Sequence, residues 1–119
     1  MEVNFPKRGE IYLVNFDPTV GAEIQKTRPA LILQNDVANQ YGAITIVAAV
    51  TSYKGDKLYP TEVLLKASGT GLRADSVAVL NQIRSIDKQR LARKLGRVDS
   101  NTMHKIGSAL QISLGLIDL

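Results

Sequence analysis

The chain reads as a mainly β, α+β fold: a small, strongly bent, mostly antiparallel sheet with a helix packed on it. Two observations predict this class. Short apolar or alternating runs recur between residues 9 and 98, bounded by segments rich in Gly, Pro, Asp or Ser. The clearest stripe at helical spacing comes last, at the C-terminal end. Strands followed by one terminal helix place that helix against the sheet. The core is aliphatic, because 45% of the 119 residues are hydrophobic while only two Phe and four Tyr are present.

Each element follows from its own residues. GEIYLVNF (9–16) has strand character, with Ile11 and Leu13 alternating against Tyr12 and Val14. Asp17-Pro18 starts a turn, in which Gly21 permits an unusual backbone angle. PALILQN (29–35) is a short apolar run, read as a strand buried on both faces, and Pro29 fits only as its first residue. AITIVAAVT (43–51) is β-branched and apolar, the best candidate for a central strand. SYKGDKLYP (52–60) is a polar loop, TEVLL (61–65) is strand-like, and ASGTGLRADS (67–76) is a glycine-rich connection. VAVLNQIRSI (77–86) is a strand interrupted by Asn81 and Gln82. DKQRLARKLGRV (87–98) divides into a short helical turn and a strand from Ala92 to Val98. Asp99 or Ser100 caps the terminal helix. Met103, Ile106, Leu110, Leu114 and Ile117 then form one stripe, at spacings of three, four, four and three. Gly107 and Gly115 weaken this helix slightly but allow close packing.

The length suits one domain spanning 1–119, with no internal repeat, linker or low-complexity tract. The absence of Cys excludes disulfides and thiolate metal sites. MEVNFPKRGE is not a signal peptide, and no run approaches a membrane span, so the expected location is cytoplasmic. A net charge of +4 is a modest hint of a polyanionic partner, though charge alone favours a basic soluble protein with none.

The functional signal concentrates in NFDPTVGAEIQKTRPALILQN (15–35). A turn-rich polar loop delivers Arg28, then a proline, then an apolar strand. Arg is permanently charged near neutral pH, and its planar fork of donors suits a phosphate. Other catalytic devices are scarce. His104 is the only histidine and sits inside the terminal helix, where it reads as a partly exposed helix residue. No H-E-x-x-H, paired Cys or Asp-rich loop suggests a metal, and no cofactor is expected. GTGLRADS lacks the Lys-Ser/Thr ending of a phosphate loop, so its glycines are read as turning the chain. Catalysis would therefore fall to Arg, Lys, Glu, Asp, Ser, Thr or Tyr. RNA hydrolysis suits such a set, because RNA carries its own nucleophile, the 2′-hydroxyl, which DNA lacks. An enzyme need only orient it, stabilise charge on phosphorus and help the 5′-oxygen leave.

KRGEIYLVNFDP, VGAEIQKTRPALILQND, AITIVAAVTSY, DSVAVLNQIRSIDKQRL and ALQISLGLID, in this order and spacing, resemble the MazF/PemK toxin family over Lys7 to Asp118. The resemblance implies a single MazF/PemK-like toxin domain with the PemK/CcdB-like fold, a small SH3-like barrel with a C-terminal helix. It implies a sequence-specific, metal-independent endoribonuclease that cleaves single-stranded RNA. It also implies a homodimer and a cognate antitoxin that wraps the toxin and blocks its RNA groove.

By the same resemblance Arg28 matches the family's catalytic arginine, assigned to phosphate charge stabilisation and proton donation to the leaving 5′-oxygen. Thr51 matches the catalytic threonine, its hydroxyl contacting the transition-state phosphoryl group. Glu23 matches an acidic residue implicated in some members, which either orients Arg28 or accepts the 2′-hydroxyl proton. Ala22 and Ile24 stand where many members carry Ser and Gln, so those polar contacts are missing. Asp17, Thr19, Lys26, Thr27, Ser52 and Lys54 are expected to border the RNA groove, with Lys26 and Lys54 holding phosphates. The amides of Asn81 and Gln82 are assigned to base edges. Lys88, Arg90, Arg93, Lys94 and Arg97 read as a solvated basic face, or as a contact for an acidic antitoxin segment.

Two other functions compete. A gyrase-poisoning toxin on a related fold needs an exposed aromatic-rich C-terminus, whereas this chain ends ISLGLIDL and has no Trp. A non-catalytic nucleic-acid or protein-binding barrel is compatible with the fold alone.

Overall fold

The structure, a computed structural model, describes residues 5–16 and 27–118. Its strands are β1 (Glu10–Asn15), β2 (Thr27–Ile32), β3 (Ile44–Ser52), β4 (Glu62–Leu65), β5 (Ser76–Asp87) and β6 (Leu91–Arg97). Its helices are α1 (Asp36–Tyr41) and α2 (Ser100–Ser113), and a 3-10 turn at Lys88–Arg90 joins β5 to β6. The strands form one antiparallel sheet in the order β4-β5-β3-β2-β1-β6.

β3 lies inside the sheet, as its unbroken apolar run predicts. Ala48 and Val50 join the main core, while Val47 joins a second core on the opposite face. β2 divides in the same way, with Leu31 in the main core and Ala30 and Ile32 in the other. A strand covered on both faces has no need to alternate with polar residues.

The ends of β2 depart from expectation. It runs from Thr27 rather than from Pro29 and stops at Ile32, although the Leu33 N–H still donates to the Ile46 carbonyl at 2.8 Å. Pro29 is its third residue. At that level β2 pairs only with Leu13 of β1, and its ladder to β3 begins at Ala30. A residue without an N–H is tolerated where one side of the strand has no ladder.

α1 has no counterpart in the sequence reading, because its six residues are too few to carry a periodic stripe. A polar network holds it. The Asn35 side chain accepts the Ala38 N–H at 2.9 Å, capping the helix. Fully buried Asn39 donates to the Gln34 carbonyl at 2.9 Å and accepts the Thr45 hydroxyl at 2.7 Å.

The polar interruption in β5 is a wide bulge. Ala48 pairs with Ile83 but Ala49 pairs with Val79, so Leu80, Asn81 and Gln82 have no partners on β3. Leu80 turns its N–H to the Thr61 carbonyl at 2.8 Å and its side chain into the main core. Such a bulge bends the strand and increases its twist. Curvature brings the connection between β4 and β5 against β6 without closing the ladder. At the meeting point the backbones of Gly71 and Gly96 lie in contact. A Cβ on Gly71 would overlap the Leu95 carbonyl, and one on Gly96 would overlap that of Thr70. Gly71 also has a φ of 80°, where other residues are strained. Its task therefore goes beyond turning the chain.

α2 covers the main core with Ile106 and Ala109, flanked by Met103 and Leu110. Asp99 caps it, accepting the Thr102 N–H at 2.7 Å. The helix ends earlier than its stripe suggests. The Gly115 N–H donates to Ile112 and the Leu116 N–H to Gln111, around a glycine at φ 72°. These bonds form a Schellman stop. Gly115 thus terminates the helix, open space surrounds Gly107, and Leu114 and Ile117 are largely exposed. No helix among the described residues is long and apolar enough to cross a membrane.

Candidate active site

β2 and β3 set the site. Their register pairs Ala30 with Ala49. Carried two residues outward, it brings Arg28 level with Thr51, past the last paired position. Side chains two residues apart on a strand share a face, so the guanidinium and the hydroxyl project from neighbouring strand ends. Both line one open cavity of about 530 Å³. Its floor is apolar, with Pro29, Val50 and Val77, and its wall is the segment from Ser52 to Tyr59. Ser52 and Lys54 thus join Arg28 and Thr51. Among the described residues, the charges lining it are Arg28, Lys54 and Lys57 against Asp56 and Glu62, a balance of one positive charge. Arg28, Thr51, Ser52 and Lys54 are all exposed, as groups that meet a large ligand must be.

The wall is anchored at both ends. The Tyr53 N–H donates to the Asp75 carbonyl at 3.0 Å, tying the exit of β3 to the start of β5. At the far end Tyr59 and Glu62 bond reciprocally. The Tyr59 N–H donates to Glu62 Oε1 at 2.8 Å, and the Glu62 N–H donates to the Tyr59 carbonyl at 2.9 Å.

Other expected site residues fall elsewhere. Thr27 is exposed and pairs with Asn15, outside the cavity lining. Asn81 and Gln82 are exposed on the β5 bulge and do not line the cavity either. Glu23, Asp17, Thr19 and Lys26, with Ala22 and Ile24, lie outside the described residues. The sequence reading omitted Tyr53, Asp56, Lys57, Leu58, Tyr59 and Glu62, all of which line the cavity. The available signal was aromatic scarcity: two of the four tyrosines sit in the nine residues 52–60.

A second hollow, of about 520 Å³, opens between the end of β4 and the start of α2. Lys66, Arg97 and Lys105 line it with Asp99, and it contains no aromatic ring. Hydrogen bonds from Thr102 hold the Asp99 carboxyl below its ordinary pKa. Of the other basic residues, Lys94 pairs with the nearly buried Glu10 at 2.7 Å, and this bond raises the lysine's pKa. Lys88 donates to the Asn39 carbonyl, and Arg90 to that of Asn15 at 3.2 Å. Much of that basic face is therefore bonded within the chain. His104 is exposed on α2. Among the described residues no three His, Asp or Glu gather as a metal site.

Residues 7–114 match the family described as PemK-like, MazF-like toxin of type II toxin-antitoxin system. The chain belongs to this family. Endoribonuclease EndoA of Bacillus subtilis is 46% identical over 112 residues, covering 94% of this chain and 97% of that protein. Endoribonuclease MazF of Staphylococcus saprophyticus is 41% identical over 110 residues, covering 92% of each. Among solved structures, a mycobacterial endoribonuclease in complex with its cognate antitoxin superposes with a TM-score of 0.77 at 28% identity, over 96% of this chain and 99% of that one. MazF in a MazE–MazF crystal structure from Deinococcus radiodurans gives 0.77 at 30% identity, over 94% of this chain and 97% of that one. In this PemK/MazF member, two of the three residues expected to be catalytic, Arg28 and Thr51, share the cavity at the β2–β3 ends. The expected barrel is met as a bent six-stranded sheet in which the connection after β4 touches β6 through glycine.

Proposed function

We propose that this protein is a sequence-specific endoribonuclease toxin that cleaves single-stranded RNA without a metal ion. The observation that carries this reading is the placement of Arg28 and Thr51 at one level of one open cavity, with Lys54 and Lys57 on its wall. A phosphodiester seated there meets a bidentate cation, a neutral hydroxyl donor and two further cations for flanking phosphates.

The reaction needs little more from the protein. The 2′-oxygen attacks the adjacent phosphorus, and the bond from phosphorus to the 5′-oxygen breaks. The five-coordinate phosphorus carries extra negative charge on its equatorial oxygens. Arg28 meets that charge with two parallel N–H donors, and the Thr51 hydroxyl adds one more. Arg28 also supplies the proton that the departing 5′-oxygen needs, and the proton released from the 2′-hydroxyl restores the guanidinium by the end of the turnover. Removal of the 2′-hydroxyl proton is one of the two tasks open to Glu23, the other being orientation of Arg28. The products are a 5′-hydroxyl end and a 2′,3′-cyclic phosphate, which becomes a 3′-phosphate where water opens the ring.

The same reading makes residues 1–119 one toxin domain, acting as a homodimer in the cytoplasm and silenced by a cognate antitoxin. The solved relatives bound to antitoxin support that partner. Purified protein incubated with long mixed-sequence RNA in EDTA tests the proposal. Discrete cuts sharing a short motif and leaving 5′-hydroxyl ends are expected. Intact RNA, or cuts leaving 5′-phosphates, would refute it.

A further inference from the structure

We infer that Tyr59 is a base-stacking platform that fixes one nucleotide beside the cleaved phosphate, and so helps determine which sequence is cut. This rests on the reading of the cavity as an RNA site. Three observations combine. Tyr59 is 72% exposed, and its hydroxyl makes no hydrogen bond within the described chain. It therefore contributes little to the fold. Its backbone is nonetheless fixed, because the reciprocal bonds with Glu62 lock the turn at both ends and Pro60 restricts the chain between them. A large aromatic side chain held out on a stiff turn loses little freedom when it meets a ligand.

Its position supplies the rest. Tyr59 lines the cavity that holds Arg28 and Thr51, and also an adjoining apolar hollow of about 480 Å³ formed with Lys57, Leu58 and Pro60. One hollow is suited to a phosphate and its neighbour to a flat apolar surface. Single-stranded RNA presents these in alternation, with charged phosphates on one side and bases free to splay onto aromatic rings. Lys57 lines both hollows and is placed for the phosphate between them. A stacked base is chosen by ring area and by the fit of its edge against Leu58 and Pro60. Tyr59 thus acts on binding and choice of base rather than on proton transfer.

The test is steady-state cleavage of an oligonucleotide carrying the mapped cut site by wild type, Tyr59→Ala and Tyr59→Phe, with thermal unfolding of each. Tyr59→Ala should lose roughly tenfold in kcat/KM, mostly through KM, and relax its preference at one nucleotide. Tyr59→Phe, which keeps the ring face, should stay within about twofold. All three should unfold together. If Tyr59→Ala cuts with wild-type efficiency and preference, the inference is wrong while the ribonuclease reading stands. If Tyr59→Phe fails as badly as Tyr59→Ala, the hydroxyl matters rather than the ring face, and stacking is again wrong. A wild-type protein that neither cuts nor binds RNA removes both.

Discussion

The Arg28 cavity and the hollow at the start of α2 are nearly equal in volume, and each draws its cations from more than one element, yet they differ in what stands beside the charge. The first sets Arg28 against two hydroxyls, Thr51 and Ser52, and two tyrosine rings. The second gathers Lys66, Arg97 and Lys105 around the Asp99 cap, beside the glycine contact between β6 and the connection after β4. Charge alone attracts a polyanion to either place. The second also has a guanidinium, Arg97, and hydroxyls, but the first sets its guanidinium and a hydroxyl level with each other on adjacent strands and adds aromatic surfaces for bases. Chemistry therefore belongs to the first region and mechanical closure to the second. Substitutions should separate the two, those in the first changing activity at constant stability and those in the second the reverse.

The largest expected effect is at Arg28. Arg28→Ala should lower RNA cleavage by at least ~10³-fold with an unchanged unfolding curve, because no other described residue lining the cavity supplies a fork of donors to the phosphorane. Single-turnover cleavage beside urea unfolding checks both halves. Thr51→Val, which keeps shape and removes the hydroxyl, should cost roughly 10²-fold in kcat with a small change in KM. A loss confined to KM would assign Thr51 to ground-state binding.

The reverse pattern is expected at the sheet closure. Gly96→Ala places a methyl group into the Thr70 carbonyl and should cost about 2 kcal/mol or more in urea unfolding. Below the unfolding transition it should cleave RNA at the wild-type rate. A stable Gly96→Ala would mean that the Gly71–Gly96 contact yields easily and does not hold β6 against the connection after β4.

The smallest effect is at the α2 cap. Asp99 has a folded-state pKa below its ordinary value of about 3.9, because Thr102 donates to its charged form. Its contribution to stability is thus fully present above that ordinary value and lost as pH falls through the lower folded one. Asp99→Asn keeps an acceptor at the cap and removes this titration. Wild type should lose its small advantage in Tm over Asp99→Asn between pH 5 and pH 2. A constant difference across that range would show that the carboxylate charge does not support α2.

Much of the fold was legible because burial writes itself into residue type. AITIVAAVT announced a central strand, and β3 lies inside the sheet with a core on each side. Arg28 and Thr51 were legible through family resemblance, and their shared level follows from strand register, which no local pattern reveals. Three features escaped for definite reasons. α1 rests on caps and a buried amide rather than on periodicity. The end of α2 turns on a glycine whose positive φ ends a stripe that the sequence continues to Ile117. The cavity wall at residues 53–59 has no regular structure, so its tyrosines read as loop composition until their neighbours were known. Asn81 and Gln82 show the opposite case. Their polarity was visible, while the bulge that bends β5 at the same place was not.

The most direct measurement is amide chemical-shift mapping with an RNA of the cleaved sequence that carries a single 2′-deoxy sugar at the scissile position. Such a strand binds and cannot be cut by 2′-oxygen attack. The largest shifts should fall on Arg28 and on residues from Thr51 to Tyr59, with little change at Lys66, Arg97 and Lys105. Shifts centred on those three cations, with Arg28 and Thr51 unmoved, would place RNA in the second hollow and contradict the assignment of the active site.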